Sequence, residues 1–167
     1  MRTILDTAET WFLESFSQGP YTSLVIRLCE GRVSSAPEAI RISEEIELGP
    51  GLRVDSTPSC RVVEVVFEQP FAVFALREQF DSSAEDLVFE DPSTFIRVVE
   101  KSAFRGFATD ATGLFGTFID GIREYHLWTE EQIFRVFTDT PPVVTLLDQS
   151  PDESIQRAAT FLAGKSS

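Results

Sequence analysis

RVVEVVFE at 61–68 and FAVFALREQF at 71–80 are the two most strand-like stretches of the chain, rich in valine and phenylalanine and nearly continuous in apolarity. Only Glu68-Gln69-Pro70 separates them, so they read as a hairpin. Apolar residues on both faces place that hairpin at the centre of a sheet covered on both sides, with Val63, Val65, Phe67, Phe74 and Leu76 in the core.

Working outward, YTSLVIRLCE at 21–30 sets Leu24, Ile26 and Leu28 on one face and reads as a strand. Residues 40–48 alternate Ile40, Ile42, Ile46 and Leu48 with Arg41, Ser43, Glu45 and Glu47, a half-buried strand that Gly49-Pro50-Gly51 should end. IREYHLW at 122–128 and QIFRVFT at 132–138 form a second expected hairpin across Thr129-Glu130-Glu131. Thr129 and Gln132 also fit a capping box, but the alternation of Tyr125 and Leu127 favours strands. VVTLL at 143–147 follows Pro141-Pro142 as a last strand.

Three stretches read as helices. Ile4, Leu5, Ala8, Trp11, Phe12 and Phe16 fall on one helical face over 3–17. Asp91-Pro92 looks like a helix start, with Phe95, Val98, Val99 and Ser102 on the buried face of 92–104. Ser150-Pro151-Asp152-Glu153 opens an expected C-terminal helix, 150–163. The expected fold class is therefore α+β: a mainly antiparallel sheet of about six or seven strands with an N-terminal, a middle and a C-terminal helix, in one compact domain spanning 1–167.

Composition narrows the function classes. The net charge is −13, and only two of fourteen basic residues are lysines, an arginine bias that suits a GC-rich coding sequence. Such a surface repels phosphate and anionic lipid, so neither nucleic acid nor membrane is an expected partner. The first sixteen residues carry Asp6, Glu9 and Glu14 and resemble no targeting peptide, and no apolar run approaches a bilayer span; a cytoplasmic location and two reduced cysteines, Cys29 and Cys60, are expected.

No motif carries decisive chemistry. His126, the lone histidine, has no nucleophile elbow to serve, and one histidine with two distant cysteines fits no zinc spacing. Gly113-Leu114-Phe115-Gly116 lacks the lysine of a phosphate loop. No catalytic residue, metal site or cofactor is expected. Fifteen phenylalanines exceed what a small core needs, so Phe107, Phe115 and Phe118 in the glycine-rich stretch 105–121 are candidates for an apolar pocket or interface. The segment 78–91 holds Glu78, Asp81, Glu85, Asp86, Glu90 and Asp91 without one internal cation.

The expected function is that of an acidic, non-catalytic interaction domain, with 78–91 as the edge that meets a basic protein partner. An immunity or inhibitor protein acting on a toxin or enzyme is its concrete form. Two alternatives stand beside it: a small-molecule-binding domain or enzyme with a phenylalanine-lined pocket, and a structural subunit of a larger assembly.

Overall fold

Two five-stranded antiparallel sheets pack face to face in the computed structural model, which describes residues 2–41, 47–78, 87–112 and 121–152. The first sheet contains β1 (Thr10–Gln18), β2 (Leu24–Arg41), β3 (Glu47–Asp55), β4 (Val62–Phe67) and β10 (Val143–Leu147). The second contains β5 (Ala72–Arg77), β6 (Val88–Phe89), β7 (Ile96–Lys101), β8 (Arg123–Trp128) and β9 (Gln132–Thr138). The first runs β1-β2-β4-β10 with β3 on the far half of β2, and the second runs β5-β9-β8-β7-β6. α1 (Ala103–Thr112) is the only helix of seven or more residues among the described residues.

Strand alternation builds the core between the sheets. Trp11, Leu24, Ile26, Leu28, Val63, Val65 and Phe67 come from one sheet and meet Ile96, Tyr125, Leu127, Phe134 and Val136 from the other. Phe67 against Tyr125 and Phe16 against Phe134 bridge the sheets at ring-centroid distances of 5.7 Å and 5.2 Å. One end is closed by Arg61, which lies over the Trp11 ring and clamps Glu30 through Nε and Nη2 at 3.0 and 2.7 Å.

The α+β expectation is overturned: the described chain is mostly antiparallel strand, and two of its three expected helices fold otherwise. Over 3–17 there is a single 3-10 turn, Ile4–Thr7, closed by a Thr3–Asp6 capping box, and then β1. A register shift between Leu13 and Ser15 breaks the strand alternation of β1, and without a clean period of two Trp11, Phe12 and Phe16 fit one helical face with Ile4, Leu5 and Ala8. Over 92–104, Asp91 does cap a turn, accepting from the Ser93 amide and hydroxyl at 2.9 and 2.6 Å, but the β-branched run after it becomes β7. The third expected helix lies, from residue 153 on, outside the described residues.

The 61–68 and 71–80 strands exist but do not form a hairpin. β4 pairs with β2 and β10, while β5 is an edge of the opposite sheet, paired only with β9 among the described residues. Glu68-Gln69-Pro70 lacks the glycine or asparagine that a tight hairpin turn needs. Gln69, at φ 48°, turns the chain across the sandwich instead, and the Phe71 amide donates to Phe137 O at 2.8 Å. Val63, Val65 and Phe67 are buried as expected, whereas Phe74 and Leu76 are half-buried.

Gly49-Pro50-Gly51 does not end a strand either: it lies within β3, paired to the outer half of β2, where a proline costs no ladder bond on the open side. Gly31 marks where β2 leaves β1; a Cβ there would sit 2.5 Å from Thr10 Cγ2 and 2.8 Å from Phe12 Cε2. The 122–138 hairpin is present as β8–β9, its turn tied by Thr129, whose amide and hydroxyl both donate to Gln132 O at 2.9 and 2.8 Å.

Replacing Phe67 by Ala should cost ~3–5 kcal/mol in denaturant unfolding, and replacing half-buried Phe74 distinctly less. Equal losses would contradict this placement. Cys29 and Cys60 are free and buried, and burial pushes the Cys29 thiol up from 9.0 to about 11 against the opposing Ser56 hydrogen bond. Between those two values the unfolded chain loses this proton while the folded chain keeps it, so stability falls as pH rises from 9.0 towards about 11. Melting temperatures across that window should fall less steeply in Cys29→Ala, and neither thiol should alkylate before unfolding.

Candidate functional site

The β8–β9 hairpin is apolar on its inner face and polar on its outer one. Tyr125, Leu127, Phe134 and Val136 enter the core, so Glu124, His126, Trp128, Ile133, Arg135 and Phe137 alternate onto the outer face. The ladder then sets three basic side chains in one cross-strand row, Arg97 opposite His126 and His126 opposite Arg135, with Phe74 beside Arg135 at the β5 edge.

Two parts of this face differ in character. At one end Arg135 and Glu124, both 0 % exposed, form an ion pair with Nη1 3.0 Å from Oε1. The Ser102 hydroxyl donates to Glu124 Oε2 at 2.6 Å and accepts from the Arg105 amide at 2.9 Å, so the residue that caps α1 is also bonded to the buried carboxylate. Phe104 covers the Arg135 guanidinium at 5.1 Å, and Ala108 packs with Ile122 and Phe137. Four phenylalanines, 74, 104, 107 and 137, cluster there, with Phe74 and Phe104 edge-on at 4.4 Å.

At the other end α1 does not cover the sheet, and a cleft of about 350 Å³ opens, lined by Glu78, Leu87, Phe89, Arg97, His126, Trp128 and Ile133. Phe89 organises it: the Arg97 guanidinium stacks on its ring at 5.1 Å and the His126 ring lies 5.3 Å away. Arg97 Nε donates to Thr94 O at 3.2 Å, which fixes the plane of the guanidinium. The cleft thus offers a positioned cation, an imidazole, a carboxylate and flat apolar walls, a set suited to binding a small polar aromatic molecule.

Of the residues expected from the sequence, Glu78, Glu90, Asp91 and Phe107 are described. Glu78 lines the cleft; Glu90 lies 3.7 Å from Arg123; Asp91 is spent on its turn, the Ser93 hydrogen bonds holding its carboxyl below the usual range. Asp81, Glu85 and Asp86 lie outside the described residues, as do Phe115 and Phe118. Phe107 sits on α1, 56 % exposed, beside the phenylalanine cluster. Half of the expected irregular stretch 105–121 is helix, and Gly106 lies within α1. Sequence reading missed Arg97, Phe89 and Trp128 as site residues. The available signal was the polar series Glu124, His126, Arg135 at alternate positions of strands otherwise apolar.

No group of three or more histidine, cysteine, aspartate or glutamate side chains able to hold a metal occurs among the described residues, and no described helix is long and apolar enough to cross a membrane. Comparison with protein-family models, curated proteins and solved structures returns no match to this chain.

Removing one partner of the Glu124–Arg135 pair strands the other charge in the interior. Glu124→Gln should cost ~3–5 kcal/mol, and the double replacement Glu124→Leu with Arg135→Met should recover much of it. Denaturant unfolding of the two variants beside the parent protein measures this; a double variant no better than the single one would mean that shape rather than charge holds α1 in place.

Proposed function

We propose that the protein is a binding module that takes a small aromatic acid in the outer-face cleft of the second sheet. One observation carries the reading: in a chain of net charge −13, Arg97 and His126 face each other in register on the floor of an aromatic-walled cleft. A volume of about 350 Å³ is at the small end of ligand sites. Arg97 meets the anionic group, Trp128, Leu87 and Ile133 contact the ring, and Glu78 favours a ligand that also bears a hydroxyl or amine donor. The reading shares its class with the small-molecule alternative drawn from the sequence but not its place: the phenylalanine-lined pocket expected there rests on Phe107, Phe115 and Phe118, none of which is among the described lining residues of this cleft. The partner-binding edge at 78–91 has less behind it, since Glu90 has a cation nearby and Asp91 serves its own turn.

Calorimetric titration with benzoate, 4-hydroxybenzoate and indole-3-acetate tests the proposal. At least one acid should bind, and Arg97→Gln should weaken it at least about tenfold, ~1.4 kcal/mol. Benzyl alcohol binding as well as benzoate, or Arg97→Gln binding as well as the parent protein, would sink the anion-site reading.

A further inference from the structure

A second cleft, of about 340 Å³, lies at one end of the sandwich between the β1–β2 turn and the β4–β5 corner, lined by Pro20, Tyr21, Ser23, Val66, Glu68 and Gln69. The two segments are neighbours because β2 and β4 pair in register there, Leu24 with Phe67 and Val25 with Val66. We propose that this cleft is a recognition site for an organic cation, a guanidinium or ammonium group, independent of the cleft on the second sheet.

Its chemistry is one-sided. Glu68 supplies a carboxylate, Gln69 an amide oxygen and Tyr21 a ring, and no arginine, lysine or histidine is among the described lining residues. The Ser23 hydroxyl already donates to Pro20 O at 2.9 Å, so what it has left to offer a ligand is a lone pair. A carboxylate beside an aromatic face in a protein of net charge −13 is a setting for a cation, which gains from the charge and from the ring quadrupole together. Val66 gives the methylene stem of a basic side chain an apolar surface to lie on.

The backbone supports the same reading independently. Tyr21 at φ 54°, Thr22 at φ 65° and Gln69 at φ 48° are the three non-glycine residues with positive φ among the described residues, and all three belong to these two segments. A bulky residue in that region is strained, and such strain concentrates at ligand-holding loops. Tyr21 is 85 % exposed, so the strain is not offset by burying its ring. The turn is locked from within: Gly19 N donates to Ser23 O at 2.8 Å and Ser23 N to Pro20 O at 3.1 Å. Gly19 permits this closure, since a Cβ there would lie 2.5 Å from Ser23 Oγ. The result is an exposed aromatic side chain on a locked turn that lines one cleft together with a carboxylate-bearing corner.

The test is a heteronuclear NMR titration of the full chain with L-argininamide, with the capped peptide acetyl-Gly-Arg-Gly-amide, and with the uncharged capped peptide acetyl-Gly-citrulline-Gly-amide. The expected result is saturable shifts confined to 19–23 and 66–69 with an arginine-bearing probe and none with the citrulline peptide. Glu68→Gln and Tyr21→Ala should each weaken binding at least about tenfold, and Asp110→Asn on α1 should not. Tyr21 and Glu68 are exposed, so both variants should keep the parent melting temperature. Gly19→Ala, which disturbs the turn but removes no contacting group, should weaken binding as well. Binding of the peptide alone identifies a basic protein segment as the source of the cation, and binding of the amide as well identifies a small free cation. Failure of both arginine probes, shifts elsewhere, or unchanged affinity in Glu68→Gln would overturn the proposal without touching the aromatic-acid cleft.

Discussion

Arg135 and Glu124 are both withdrawn completely from water on the outer face of the second sheet, and the arrangement of that face follows from keeping them satisfied. Taking two charges out of water costs several kcal/mol each, and their attraction offsets this only if the remaining hydrogen-bonding capacity is filled. Glu124 has a second oxygen to satisfy, and Ser102 satisfies it. Because Ser102 also caps α1, the helix is placed where the carboxylate needs a donor, not only where its apolar residues find a surface. Phe104 then roofs the guanidinium. A helix of ten residues is marginal by itself in water, so its position on the sheet is a tertiary property.

With α1 held at one end of that face, the described residues of the other end form the cleft with Arg97 and His126 between β6 and β5. The same hairpin therefore has two duties separated by parity. Tyr125, Leu127, Phe134 and Val136 cement the sheets together, while the residues between them carry the polar chemistry. A one-residue slip of β8 against its neighbours would bring Glu124 and His126 into the core, a cost that fixes the register strongly. The precision of the Arg97–His126 pairing is thus inherited from core packing on the opposite side of the same strands.

Strand identity was legible wherever alternation was uninterrupted, as in IREYHLW, QIFRVFT, VVTLL and the Leu24-Ile26-Leu28 series. It failed where a local device broke the period. The β1 irregularity at 13–15 imitated a helix, and the Asp91 turn imitated a helix start because capping and Asx turns use the same side-chain-to-amide bond. Sheet membership was the larger loss. Adjacent strands usually pair, but Gln69 turns β5 into the other sheet, and only the lack of a turn-forming glycine or asparagine hinted at it. The candidate site was legible in part: of the acidic run, Glu78 lines the cleft, Glu90 lies near Arg123 and Asp91 serves its own turn, while Asp81, Glu85 and Asp86 lie outside the described residues. Arg97 and Phe89 could not be joined to His126 without knowing the order β6-β7-β8, which no local pattern encodes.

The two clefts stand in opposite relations to the charge of the whole protein. At long range a net charge of −13 repels an anion and attracts a cation. At short range the balance is local: a unit charge about 4 Å from Arg97 gains ~4 kcal/mol at an effective dielectric near 20, whereas charges beyond the Debye length of ~10 Å at 0.1 M salt are largely screened. Salt therefore acts on the two proposed ligands in different ways. For the aromatic acid it weakens the repulsion encountered on approach more than it weakens the contact inside the cleft, so modest ionic strength aids encounter. For the cation at Tyr21 and Glu68, contact and approach are both attractive, so every increment of salt opposes binding. The same excess of carboxylates that makes the second cleft attractive from afar makes the first dependent on the close placement of one arginine. That is why the stacking of Arg97 on Phe89 and its bond to Thr94 matter more to the proposed function than its charge alone.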